Sequence, residues 1–239
     1  MKKIIFILSL IIWLGMTPLV SNSQTEGKKP KELYAENIQN SLEVFNGGEY
    51  IEFPSYFEGH SFFQTKAFLY ADIVYNGLIY SEIPLLYDLV SHKLVTFNPI
   101  HAAKVSIQTN RVSQFTFYSD LGNFSFVRGD LISKDAAYSE KFLEEIIDGD
   151  VSLYCLHEKR IKKRVEDLDR TMTFEKSENY LIKHNNELFP LKGKNSIFKI
   201  LPIDKKRAKE SLKLKGVKYK VDPKIYFSDV VLTFNNTQL

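Results

Sequence analysis

Gln114-Phe115-Thr116-Phe117-Tyr118-Ser119-Asp120-Leu121-Gly122-Asn123-Phe124-Ser125-Phe126-Val127 is the stretch that decides the fold. Aromatic and polar side chains alternate on both sides of Ser119-Asp120-Leu121-Gly122, whose composition suits a turn. Pairing Tyr118 with Asn123 sets Phe117 opposite Phe124 and Phe115 opposite Phe126. Four phenylalanines then share one face, with Thr116, Tyr118 and Ser125 on the other, as expected of an antiparallel pair buried on one side.

The same pattern continues toward the N-terminus. Lys66 to Tyr75 is rich in aromatic and β-branched residues, and Asn76-Gly77 links it to Leu78–Ile83. Asn-Gly is a strong hairpin signal because a type I′ turn needs positive φ at both central residues. Tyr75 then faces Leu78, and Ile73 faces Tyr80. Pro84 lacks an N–H for the ladder and is expected to end that strand or to mark a sheet edge. Leu85–Val90 and Leu94–Phe97 flank Ser91-His92-Lys93, another tight connection.

Toward the C-terminus the pattern is ambiguous at first. Tyr138, Phe142, Leu143, Ile146 and Ile147 fall at helical spacing with Gly149 just past the end. Asp148-Gly149 equally joins Phe142–Ile147 to Val151–Leu156 as a hairpin, which is preferred because the run after Gly149 is strand-like and strands precede it. Met172–Glu175, Tyr180–Lys183 and Leu188–Leu191 read as strands, with a turn at Asn185-Asn186. Beyond them Asn195 or Ser196 can cap a short helix through Leu201, and Asp204 can cap Lys205–Lys215, with Gly216 past its end. Asp222-Pro223 can start a last helix with Ile225, Val230, Val231 and Phe234 as its apolar set.

These elements define an α+β chain, mainly antiparallel β, as a sandwich or open barrel of hairpins with a short helical C-terminal region. The expected layout is a signal peptide over 1–23, a flexible leader over 24–45, an antiparallel β domain over 46–192, and a basic helical region over 193–239 packed on the sheet. Lys2 and Lys3, the apolar run Ile4–Leu14 and the small residues Ser21 and Ser23 make the three-part layout of an export signal. That run is shorter than the ~20 residues a permanent helical anchor needs, so no transmembrane segment is expected after cleavage.

The chain has 239 residues, 44% apolar and 26% charged, a globular composition that excludes intrinsic disorder. Its net charge of +3 hides its terms. Residues 1–31 hold five Lys and one Glu, residues 32–150 hold seven basic and seventeen acidic residues, and residues 151–239 hold twenty basic and eleven acidic. The three segments carry +4, −10 and +9, so a basic end is expected either to pack on the acidic sheet or to face a separate acidic partner.

Motifs for catalysis are absent: no G-x-S-x-G, H-E-x-x-H, C-x-x-C, P-loop or G-x-G-x-x-G occurs. No catalytic residue, metal site or cofactor is therefore expected. The five histidines are scattered, and no two have the i,i+4 spacing of a helical metal site. Cys155, the sole cysteine, reads as a small buried apolar residue, although strand alternation points it to the same face as His157. In the loop Glu58-Gly59-His60-Ser61-Phe62-Phe63, polar residues adjoin aromatics. Glu58 and His60, with the carboxylate of Asp88, form a candidate loop site beside the simpler reading of a turn that leads Phe62 and Phe63 into the core. Lys205, Lys206, Arg207, Lys209, Lys213 and Lys215 form a candidate basic binding patch, which would otherwise be a solvated helix face.

Phe62-Phe63, Tyr75-Asn76-Gly77-x-x-Tyr80, Pro84-Leu85-x-Tyr87-Asp88, Leu94-Val95 and Asp148-Gly149 together resemble a group of secreted, β-rich envelope proteins of Bacteroidota-type bacteria. The resemblance spans about Tyr50 to Phe234 and rests on short structural motifs. It implies an exported β-rich protein with a helical C-terminal end and brings no activity, cofactor or catalytic residue. The expected function is that of an exported periplasmic or outer-envelope protein acting by binding, an accessory or structural subunit of an envelope complex, with an envelope protein or anionic surface as partner. The alternative is a hydrolase of envelope glycan or peptide that uses paired carboxylates. Nucleic acid is not expected as a partner, given the export signal and the absence of a binding motif.

Overall fold

The phenylalanine hairpin forms with the register read from its alternation: Tyr118 faces Asn123, Phe117 faces Phe124 and Phe115 faces Phe126. In the computed structural model, which describes residues 43–166 and 169–237, this hairpin lies in the middle of a twelve-stranded sheet. The signal peptide and residues 24–42 of the leader lie outside the described residues. Glu43–Phe45, assigned above to the leader, form a single 3-10 turn with Val44 and Phe45 buried.

In chain order the strands are β1 (Gly48–Glu49), β2 (Phe57–Glu58), β3 (Leu69–Tyr75), β4 (Leu78–Asp88), β5 (Lys93–Asn98), β6 (Ala103–Ser106), β7 (Val112–Ser119), β8 (Gly122–Arg128), β9 (Phe142–Ile147), β10 (Ser152–Glu166), β11 (Asp169–His184) and β12 (Glu187–Pro190). The helices are α1 (Gly129–Ile132), α2 (Ile197–Ile200), α3 (Lys205–Leu214) and α4 (Pro223–Asn235). The strands pair in the order β1-β6-β5-β4-β3-β7-β8-β9-β10-β11-β12, antiparallel throughout, with β2 alongside β11 in parallel. Most neighbours are consecutive hairpins, which is why local turn chemistry predicts so much of the topology. Asn76 and Gly77 take φ of 51° and 78°, as the tight turn between β3 and β4 requires.

Pro84 neither ends its strand nor marks an edge: β4 runs through it, between β3 and β5. Its missing N–H is tolerated because the ladder to β5 starts only at Leu85, while on the other side Pro84 faces Tyr70, next to a bulge in β4 at Ser81-Glu82. A second difference concerns β10 and β11. The separate short runs expected over 172–183 are one strand of sixteen residues, paired along its length with β10.

The sheet carries two main cores. In the first, rings from β3 to β9 crowd one concave face: Phe115 stacks on Phe126 at 4.8 Å, and Tyr87 meets Phe142 edge-on at 5.9 Å. Each such side chain removed from water contributes roughly 1.5–3 kcal/mol. The curl ends where the Lys159 N–H donates to the Leu89 carbonyl at 3.0 Å, joining β10 to the end of β4. The second core lies between β10–β11 and the C-terminal helices. Val151, Leu153, Cys155 and Ile182 pack against Tyr226, Phe227, Val230, Val231 and Phe234. Ile225, read as part of that apolar stripe, is instead largely exposed, and Tyr226 and Phe227 take the inward positions. Asp222 caps α4 by accepting from the Ile225 N–H at 2.8 Å, and Asp204 caps α3 through Lys206 and Arg207.

Candidate functional site

Between the two cores lies a buried polar seam. Alternation along β10 points Leu153, Cys155 and His157 to one face, and the β9–β10 register sets Glu144 opposite Cys155. All three polar members, Glu144, Cys155 and His157, are buried. His157 Nε2 and Glu144 Oε2 are 2.7 Å apart, and Lys224, from the first turn of α4, donates to Glu144 Oε1 at 2.6 Å. Farther out, Glu178 accepts from Lys176 Nζ at 2.7 Å and from the Tyr180 hydroxyl at 2.8 Å. Its Oε1 lies 3.7 Å from His157 Nδ1. The rings of Phe63 and Phe126 close the inner side, 5.1 and 6.1 Å from the imidazole.

Electrostatics fix the states of these groups. Burial alone would raise the carboxyl of Glu144, but hydrogen bonds from His157 and Lys224 and the charge of Lys224 hold it below the usual range. Glu178 is likewise held low against its burial, by Lys176 and Tyr180. An ionised Glu144 only accepts hydrogen bonds, so Nε2 of His157 carries the proton between them. Burial pushes the Cys155 thiol up, and the charges of Glu178 and Glu144 add to that, so it is no activated nucleophile. Phe63, Phe124, Glu144, His157, Glu178, Tyr180 and Lys224 border an open cavity of about 340 Å³.

Glu58, His60 and Asp88 do not form one cluster. Asp88 is buried with its oxygens fully engaged: it accepts from Tyr50 OH at 2.8 Å, Ser91 Oγ at 2.7 Å and the Val90 N–H at 2.8 Å, and so fixes the β4–β5 turn. His60 stacks near Phe62 at 6.3 Å, and burial, then Lys159 and Lys66, lower its pKa. Both border the segment Ser61–Phe63, since Phe62 and Asp88 are bridge partners. Glu58 sits apart, exposed on β2 opposite Thr173. Lys159 reaches into this region to donate to the carbonyls of His60 and Phe62, and burial lowers its pKa to about 8.

The residues of the basic patch all lie on α3 or at its C-terminal end. α3 buries Ala208 and Leu212 and exposes Lys205, Lys206, Arg207, Lys213 and Lys215, while Lys209 is half-buried over the Phe198 ring at 6.0 Å. Among the described residues only Lys215 of this set forms an ion pair, with Asp229. The pair Lys224–Glu144 ties the helical region to the sheet.

Comparison with models of known protein families, with curated proteins and with solved structures finds no match. Among the described residues no helix is long and apolar enough to cross a membrane.

Proposed function

We propose that the protein is an exported envelope protein that acts by binding, as an accessory or structural subunit of an envelope complex, with the basic face of α3 as its docking surface for an anionic partner. The observation that carries this reading is the α3 face itself. Lys205, Lys206, Arg207 and Lys213 point to solvent within nine residues and have no ion-pair partner among the described residues. Like charges set this close repel one another, and an acidic partner relieves that repulsion. The export half of the proposal rests on the N-terminal signal pattern and on the resemblance to secreted envelope proteins.

Crosslinking with mass spectrometry on intact cells tests it. The expected result is a specific envelope component crosslinked to Lys205, Lys206 or Lys213, with retention that weakens as salt rises. Replacing Lys205, Lys206, Arg207 and Lys213 together by Gln should release the protein from the envelope fraction. Equal retention of that variant, or a wild-type chain with no specific crosslink, would sink the proposal.

One observation favours the hydrolase reading: Glu144 and Glu178 line the same open cavity with Tyr180. Against it, both carboxyls are held low, whereas glycoside cleavage needs one carboxyl that stays protonated near neutral pH. Turnover assays on envelope glycan and on peptides decide the matter, and no turnover across the pH range removes this reading.

A further inference from the structure

Glu144, Cys155 and His157 each offer one ligand atom, and these atoms lie within 4.8 Å of one another. We propose that this cluster binds a divalent metal ion of the zinc class. The donor set is the first reason. A thiolate, an imidazole and a carboxylate together suit a borderline-soft, four-coordinate ion and not Mg²⁺ or Ca²⁺, which take oxygen ligands.

The second reason is an orphan atom. His157 Nδ1 is buried without a hydrogen-bond partner among the described residues, on a side chain only 6% exposed. Leaving a buried polar atom unpaired is costly, so such atoms usually have an explanation. A metal on Nε2 supplies one: the ring proton then sits on Nδ1 and faces Glu178 Oε1, now 3.7 Å away. That is the outer carboxylate that commonly orients a metal-bound imidazole.

The third reason is how the remaining groups are placed. Lys224 holds Oε1 of Glu144, which leaves Oε2 for the ion. Glu144 and His157 border the open cavity, which gives the ion an entry path and a fourth position for water, while Cys155 lies beneath them. The proton balance is simple. The Cys155 thiol loses its proton to solvent, the imidazole proton moves from Nε2 to Nδ1, and Glu144 enters already ionised, so one proton is released per ion bound. Nothing is oxidised or reduced. The proposal does not depend on the docking role of α3, whose cations lie outside the cluster.

Cobalt(II) is the probe, because a thiolate bound to it gives a near-ultraviolet charge-transfer band and a tetrahedral site gives strong visible bands. The full chain, stripped with a chelator, should bind Co²⁺ one to one, show both signatures, and lose them when Zn²⁺ is added. Cys155 is the sole cysteine, so a charge-transfer band in the wild type already assigns it, even if its variants fold poorly. Cys155→Ser should abolish that band, and Glu178→Gln should weaken Zn²⁺ binding by about 10- to 100-fold. Affinity should fall as pH is lowered, since a proton competes with the ion. His184→Gln is the control. His184 Nδ1 is also buried and unpartnered among the described residues, but His184 packs near Phe234 outside the cluster, and its loss should leave binding unchanged. Absence of saturable binding, cobalt spectra of an octahedral oxygen site only, or a band that survives in Cys155→Ser would each overturn the proposal.

Discussion

From β3 to β9 the sheet buries its face by curling around its own rings, whereas from β10 to β12 the sheet buries its face under helices. The first core is assembled from hairpins whose partners are close in sequence, such as Phe115 and Phe126, joined by the β3–β7 ladder and by Tyr87 against Phe142. The second waits for α4: Asn235 donates to the Val151 carbonyl at 3.0 Å and accepts from its N–H at 3.2 Å across 84 residues. Equal burial therefore does not mean equal dependence. The first core is held by the registers of neighbouring strands, the second by a distant helix whose docking also satisfies the buried carboxylate of Glu144.

The strongest attempt to break that contrast compares two phenylalanines, both fully buried, one from each core. Phe126→Ala and Phe227→Ala should each cost about 3–5 kcal/mol in denaturant unfolding. Hydrogen exchange should separate them. Phe126→Ala lowers protection across the whole sheet, while Phe227→Ala releases α4 and the β10–β11 surface and leaves β7 and β8 protected. Equal loss of protection in β7–β8 from both variants would erase the distinction.

A smaller effect sharpens the role of the seam. Glu144, Glu158 and Glu178 have carboxyls held below their usual range, so they bind fewer protons when folded than when unfolded. Their contribution is complete above the unfolded carboxyl range near pH 4.3 and is lost as pH falls through the folded values. His60 and His92, lowered chiefly by burial, act in the same direction below about pH 6.5. Melting temperature should therefore drop from pH 7 to pH 3, and Glu144→Gln should shallow that drop without removing it. An unchanged profile in Glu144→Gln would show that the seam does not couple the cores.

Smallest of all are the helix caps. Asp222→Ala should cost about 1 kcal/mol because it leaves the Ile225 N–H unpaired on the helix that covers the second core. Asp204→Ala removes a similar cap but should lower the melting temperature less, since α3 buries only Ala208 and Leu212. A larger loss from Asp204→Ala would mean that α3 is more firmly docked than its buried face implies.

Much of the fold was legible because turns and alternation act over short distances. The pairings Tyr75 with Leu78, Tyr118 with Asn123 and the Asp148-Gly149 connection, and the caps Asp204 and Asp222, all follow from residues within a few positions of one another. The polar seam was only half legible. Alternation put Cys155 and His157 on one face, but their partner depends on a bulge between Leu153 and Tyr154. Without that extra residue the ladder from Leu153–Ile147 would set Glu145, not Glu144, opposite Cys155, and a one-residue slip reverses the face. Lys224 reaches the seam through tertiary packing of α4, and Glu178 through the β10–β11 register, in which it faces His157, and neither left a local signal. Arg160 to Arg164 was missed as strand because its charges hide any apolar period.

That missed segment has its own consequence. β9 pairs β10 only at Leu153–Cys155, so beyond Lys159 the β10 side of the long hairpin carries no further ladder among the described residues. A row of unpaired N–H and C=O groups is a template on which another extended chain can add as a strand. Lys162, paired with Glu175 at 2.9 Å, and Lys163 stand exposed along it, so two copies of this hairpin meeting edge to edge would have to accommodate both charged side chains. Charged side chains along such an edge are a common guard against its pairing with a second copy.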